Sequence, residues 1–194
     1  ISPSMVKISK DKYPGSKYVV GDALNGMTFT QQSFTHLTCL YFTVYYIKNK
    51  RLFFENCYNW LAPGGYLLLH LVDRDNFDPI LPAGDPLTII SAQKYAKERI
   101  TSSAVKFKGY DYRANFDYQP KKDLALMNEE FKNNKTGDIR KNEHVLYMPT
   151  QKYILSLAKD IGFILHSKNS MVKCQYDKQY IYILSLIHIS EPTR

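Results

Sequence analysis

The sequence predicts an α/β layered fold that carries an antiparallel β insertion. Three observations predict it. Helical and strand-like patterns alternate as far as Val72. From about residue 104 to 147 the texture changes to short runs with period-two alternation and turn signals. One amphipathic helix and two strand-like runs then close the chain.

Taken in order, "ISPSMVKISKDKYPG" reads as a short helix. Ser2 can cap it, Pro3 suits the first helical position, and Met5 with Ile8 makes an apolar stripe. Tyr13-Pro14-Gly15 stops it. "KYVVGDALN" reads as a short buried strand, Tyr18 to Val20, running into a loop at Gly21-Asp22. The run His36 to Tyr41 is apolar and rich in β-branched and aromatic residues, as a strand interior should be. In "KRLFFENCYNWLAPGG", Phe53, Cys57, Trp60 and Leu61 share one helical face, and Pro63-Gly64-Gly65 ends the helix. Tyr66 to Val72 is continuously apolar, which fits a parallel strand buried on both faces. Asp73 to Ser91 reads as loop, and "AQKYAKERI" as a short helix.

The insertion begins with strict alternation, which sets Tyr110, Tyr112, Ala114, Phe116 and Tyr118 on one face. "DLALMNEEF" and "IRKNEHVLYM" add two strands around the turn "NNKTG", for about three in all. "TQKYILSLAKDIGF" is a helix with Thr150 as cap and Gly162 as stop. Its core stripe is Tyr153, Ile154, Leu157, Ala158 and Ile161. "FILHS" and "QYIYIL" are the closing strands.

Bulk properties bound the reading. The chain has 194 residues, 44% apolar and 23% charged, the balance of one globular domain with a sizeable core. No apolar run approaches the roughly 20 residues that cross a bilayer. No apolar core of a signal peptide opens the chain, and it begins at Ile1 rather than Met, which leads us to expect a missing N-terminal part. Cys39, Cys57 and Cys174 are odd in number and lack metal-type spacing, so reduced thiols, no metal and a cytoplasmic location are expected. The net charge of +8 comes from scattered Lys and Arg rather than a dense basic run.

Several stretches resemble class I S-adenosylmethionine-dependent methyltransferases. "FTHLTCLYFTVYYI", a helix, then "LAPGGYLLLHLV" looks like that family's fourth strand, connecting helix and fifth strand. "VVGDAL" resembles the loop after its third strand, and "YILSLAKDIGF" with two strands resembles its last helix and terminal β-hairpin. The resemblance covers roughly Ile1 to Ile183. It implies a partial Rossmann-like sheet without the family's first two strands and glycine-rich loop. A fragment of that kind is expected to bind cofactor poorly alone. "CLYFTVYYI" together with an antiparallel insertion before the last helix is most similar to small-molecule N-methyltransferases, such as those acting on amino sugars. The implied cofactor is S-adenosyl-L-methionine.

The resemblance also implies site residues at the carboxyl ends of the strands. Gly21, Asp22 and Ala23 would meet the adenine, with the Asp22 carboxylate accepting from its amino group. Asp22 as an ordinary turn aspartate is the alternative. Cys39, Leu40 and Tyr41 would flank the methionine part, where an aromatic face attracts a sulfonium cation. The alternative is that these residues are core. Beyond the strand ends, Tyr45, Tyr46, Asp73 and Arg74 are candidates to face substrate, with one of the two tyrosines expected to do so. His144, in "NEHVLYM", is the candidate base, since histidine accepts protons near neutral pH. His70 lies in an apolar strand and reads as core.

The expected reaction is methyl transfer to the amine or hydroxyl of a small molecule. Competing readings are an RNA methyltransferase, suggested by the charge and the tyrosines, and a non-catalytic methyltransferase-like binding domain. Nucleic acid is the less favoured partner, no membrane partner is expected, and the oligomeric state stays open. Finally, "LSLIHISEPTR", Leu184 to Arg194, matches the translation of a sequencing-library adapter end. The native protein is therefore expected to depart from this sequence at about Leu184.

Overall fold

The computed structural model describes residues 2–79, 93 and 95–186. The part of the Asp73–Ser91 loop after residue 79, part of the "AQKYAKERI" helix and the tail from Ile187 lie outside the described residues. The helices are α1 (Pro3–Lys12), α2 (Thr43–Tyr46), α3 (Lys50–Trp60) and α4 (Gln151–Ile161). The strands are β1 (Phe34–Cys39), β2 (Leu61–Val72), β3 (Ser102–Lys106), β4 (Tyr110–Gln119), β5 (Leu124–Asn133), β6 (Ile139–Tyr147), β7 (Phe163–Ser170) and β8 (Gln179–Leu186).

The described residues form two four-stranded sheets. The first has the order β1-β2-β8-β7 and the second β3-β4-β5-β6. In the first, β1 is parallel to β2, and β8 runs antiparallel between β2 and β7. The second is an antiparallel meander whose β4 and β5 pair along their whole lengths. Together they make the partial Rossmann-like α/β sheet with insertion and terminal hairpin that the sequence predicts.

The core forms where one face of β2 meets α3, α4 and the second sheet. Leu67, Leu69 and Leu71 are fully buried there with Phe54, Ile154, Phe163 and Leu146. Removing such side chains from water is the main stabilising term, about 2 kcal/mol for each large apolar residue. Leu184 belongs to this core; at the end of β8, Leu184 and Ser185 pair with both β2 and β7, and Leu186 pairs with β7.

Several expectations need correction. Tyr18 to Val20 forms no strand, and Val19 and Val20 are exposed. No described strand lies beside it, so its backbone has no ladder to join. Among the described strands β1 is an edge strand paired on one side only, and it stops at Cys39 rather than Tyr41. α3 stops at Trp60, before "LAPGG". Leu61 is buried and already opposite Phe34, and the residues between Leu61 and Tyr66 bulge out of the register. β2 has a parallel neighbour on one edge and an antiparallel one on the other. The insertion has four strands, because the polar edge strand β3 pairs with β4 despite its weak pattern. α1 is capped as expected, with the Ser2 hydroxyl accepting from the Met5 amide, but its Met5–Ile8 stripe faces solvent. In α4, Tyr153 points outward while Ile154 and Ala158 fill the core.

Candidate functional site

Beyond the carboxyl ends of β1 and β2, Tyr46 meets His144 of the second sheet, and Arg74 meets Asp123 and Met148 beside it. The loop at Gly21–Thr28 is tied to α3 from below. Asn56 Nδ2 donates to the Ala23 carbonyl at 2.9 Å, and Trp60 Nε1 to the Gly26 carbonyl at 3.0 Å. Asp22 closes an Asx turn, its Oδ1 accepting from the Leu24 amide at 2.9 Å. Its side chain is otherwise exposed. Gly21 sits against Thr28, whose Cγ2 would lie 2.8 Å from an added Cβ. The space beside this glycine is therefore filled by the protein itself.

Cys39 is buried at the end of β1. Burial pushes its thiol up to about 12, against the opposing influence of the Lys50 charge and a backbone hydrogen bond. Its sulfur is a neutral core atom. Leu40 and Tyr41 follow it in a turn and are 42% and 66% exposed. Tyr41 has φ of +54°, an uncommon region for an aromatic residue, and such outliers concentrate at binding sites.

Of the substrate-side candidates, Tyr45 is wholly buried. Its hydroxyl accepts from the Val72 amide at 2.8 Å, which ties α2 to the end of β2. The substrate role therefore does not fall to Tyr45, because its hydroxyl is spent on backbone. Arg74 is also committed. It pairs with Asp123 and donates to the Met148 carbonyl at 2.8 Å, with its side chain only 14% exposed. Its guanidinium lies over the Tyr118 ring. It braces the second sheet against β2 rather than facing substrate. Asp73 caps the turn after β2, accepting from Asp75 N and Asn76 Nδ2.

Tyr46 and His144 do come together. Tyr46 Oη lies 2.9 Å from His144 Nδ1, although 98 residues separate them. The other ring nitrogen, Nε2, lies 3.0 Å from Glu129 Oε2. The remaining carboxylate oxygen, Oε1, accepts from Tyr112 Oη at 2.7 Å. These four residues sit on α2, β6, β5 and β4. Burial raises the Glu129 carboxyl, but the hydrogen bonds from Tyr112 and His144 outweigh it and hold the group below its ordinary value. Burial, then the Glu129 charge, raises the Tyr46 phenol. Glu129 and Tyr112 were not singled out from sequence. The only available signal was the alternation that puts Tyr112 on the inward face.

Lys50 holds this arrangement from beneath. Its Nζ donates to the Ile47 carbonyl at 2.7 Å and the Tyr147 carbonyl at 2.8 Å, joining the end of α2 to the end of β6. His70 is buried as expected, but its Nε2 has no hydrogen-bond partner among the described residues. Burial lowers its pKa, with a hydrogen bond to Gln179 acting the other way. Among the described residues no cluster of His, Cys, Asp and Glu could hold a metal ion. No described helix is long and apolar enough to cross a membrane, which says nothing of β-barrels.

Residues 1–69 match the family described as a methyltransferase domain. No curated protein sequence matches the chain. Among solved structures, an S-adenosylmethionine-dependent methyltransferase from Clostridium acetobutylicum superimposes with a TM-score of 0.71 at 15% identity, over 95% of this chain and 72% of that one. Residues 1–69 thus match a methyltransferase domain, and the fold as a whole is similar to that of S-adenosylmethionine-dependent methyltransferases.

Within that class the similar structures include enzymes of small molecules. An amino pentose methyltransferase from Micromonospora echinaspora, involved in calicheamicin biosynthesis and solved with S-adenosylmethionine bound, has a TM-score of 0.63 at 18% identity, over 96% and 72% of the two chains. A sugar N-methyltransferase from a Streptoalloteichus species has a TM-score of 0.59 at 14% identity, over 94% and 68%. At these identities the likeness is one of fold.

Proposed function

We propose that the protein carrying this chain transfers a methyl group from S-adenosylmethionine to an amine or hydroxyl of a small molecule. The observation that carries the proposal is the contact between Tyr46, beyond the end of β1, and His144 on the second sheet. It brings a hydroxyl beyond the end of β1 to a titratable group on the second sheet, which supports a site between them. S-adenosylmethionine supplies an already activated methyl group, so the protein's work is to align the acceptor, exclude water and receive a proton. Asp22 and the Gly21–Ala23 backbone would hold the adenine, with Leu40 and Tyr41 beside the methionine part. Tyr46 and His144 would face the acceptor. The closeness of the second sheet to Tyr46, through His144, supports a small acceptor.

The open edge of β1 and the unpaired segment at Tyr18–Val20 support weak cofactor binding by this chain alone. Micromolar S-adenosylmethionine binding in calorimetry would contradict that. The activity itself is tested on the longest product of the gene, with methyl-labelled cofactor and a panel of amino sugars, small amines, small alcohols and RNA. Label is expected in a small amine or alcohol. Label in RNA alone would reject the proposal, as would no transfer to any acceptor.

A further inference from the structure

We infer that Glu129 is a positioning residue that fixes the His144 imidazole with its proton on Nε2, which makes the Tyr46 hydroxyl the group that meets the methyl acceptor. The functional half of this inference rests on the methyl transfer proposed above; the structural half does not.

An ionised carboxylate only accepts, so at 3.0 Å from Glu129 Oε2 the His144 Nε2 must carry hydrogen. In a neutral imidazole the other nitrogen is then bare. Nδ1 accepts, and the Tyr46 hydroxyl, 2.9 Å away, donates to it. Glu129 cannot turn away from this task, because Tyr112 donates to its other oxygen at 2.7 Å from a position 3% exposed. The order along the chain of contacts runs from buried to open. Tyr112 is buried, the Glu129 and His144 side chains are 17% and 28% exposed, and Tyr46 is 49% exposed. The outermost member, with a lone pair left over after donating to His144, is Tyr46.

The proton therefore moves in one direction. As the bond from the methyl carbon to the acceptor atom forms and its bond to sulfur breaks, the acceptor's proton passes to Tyr46 Oη. The original Tyr46 proton passes to His144 Nδ1. The resulting imidazolium donates from both nitrogens and lies against the Glu129 carboxylate, which stabilises its charge. His144 then returns the proton to solvent through Tyr46, and no other reactant is needed. Tyr46 and His144 handle the proton, and Glu129 acts through His144.

Glutamine at position 129 distinguishes this from a merely structural role. Tyr112 would claim the amide oxygen, leaving the NH2 group to face His144 Nε2. An NH2 group only donates, so the imidazole proton would move to Nδ1 and Tyr46 would become the acceptor. Long-range proton–nitrogen NMR of the full 194-residue chain, at a pH where the ring is neutral, reads the tautomer without any cofactor. The wild type is expected to show at least about a 10-fold excess of the Nε2–H form, the scale set by a hydrogen bond to a charged group. Glu129→Gln is expected to reduce that excess at least about 10-fold, on the same scale. Tyr112→Phe in the Glu129→Gln background, which frees the amide oxygen for His144, should restore part of it.

A wild-type ring with its proton mainly on Nδ1 overturns the inference whether or not the variants fold. So does a Glu129→Gln ring with the wild-type tautomer. In the longest gene product, Glu129→Gln and Tyr46→Phe should each lower kcat at least about 10-fold with little change in KM. The expected tautomers without any methyl transfer would reject the proposed function and leave the positioning role standing. Methyl transfer with an unchanged tautomer in Glu129→Gln would reject the positioning role alone.

Discussion

Replacing Lys50 by methionine separates two opposing effects at one buried group. The residue is 3% exposed, and burial lowers its pKa from 10.5 to about 8, with the nearby Cys39 opposing that shift. At 1.36 kcal/mol for each pK unit, the buried charge costs roughly 3 kcal/mol at neutral pH. Against this, the ammonium satisfies the carbonyls of Ile47 and Tyr147. Leaving each carbonyl unpaired costs about 1–3 kcal/mol. The two effects nearly offset at pH 7, so the net change there is expected to be small. The slope with pH is the decisive quantity. Between about 8 and 10.5 the unfolded chain binds a proton at this site that the folded chain has released, so stability rises with pH.

Cys39 and Cys57 act in the opposite sense above pH 9, because burial keeps their thiols protonated in the fold after the unfolded thiols ionise. The clean window is therefore pH 8 to 9. The wild type should gain about 1 kcal/mol over Lys50→Met across that unit. Urea denaturation of both proteins at pH 7, 8 and 9 measures it. Parallel profiles would refute the reasoning, since they would mean that Lys50 is not charged at a cost.

Two further outcomes are expected. Tyr45→Phe leaves the Val72 amide without its partner and should cost about 1–3 kcal/mol in urea denaturation, while the Tyr46–His144 contact in NMR stays as it is. Gly162→Ala should destabilise by more than about 1 kcal/mol, read as a lower Tm, because φ is +117° and the new Cβ would lie 3.1 Å from Tyr58.

The alternation that places Tyr112 and Phe116 inward, the caps at Ser2 and Thr150, and the stop at Gly162 were legible in the sequence and hold in the fold. Each depends on residues within a turn or two of one another, where local chemistry decides the backbone. The strand expected at Tyr18–Val20 failed for the opposite reason. Its apolar residues suit a strand, but a strand is defined by its neighbours, and none of the described strands lies there.

The site divides in the same way. His144 and Tyr46 stood out one at a time, as a titratable group and an aromatic beyond a strand end. Glu129 looked like one charge among several in "MNEEF". Sequence by itself determined which residue types exist, which residues of β4 share a face, and where α1 and α4 begin and end. Only the tertiary structure decided that Tyr45 is buried while Tyr46 is open, that Arg74 is a brace, and that Glu129 selects the tautomer of His144. The physical reason is distance along the chain: these contacts span 98 residues between Tyr46 and His144, and cross three strands from Tyr112 to His144. They arise when the second sheet closes over the ends of the first, a geometry that no local pattern encodes.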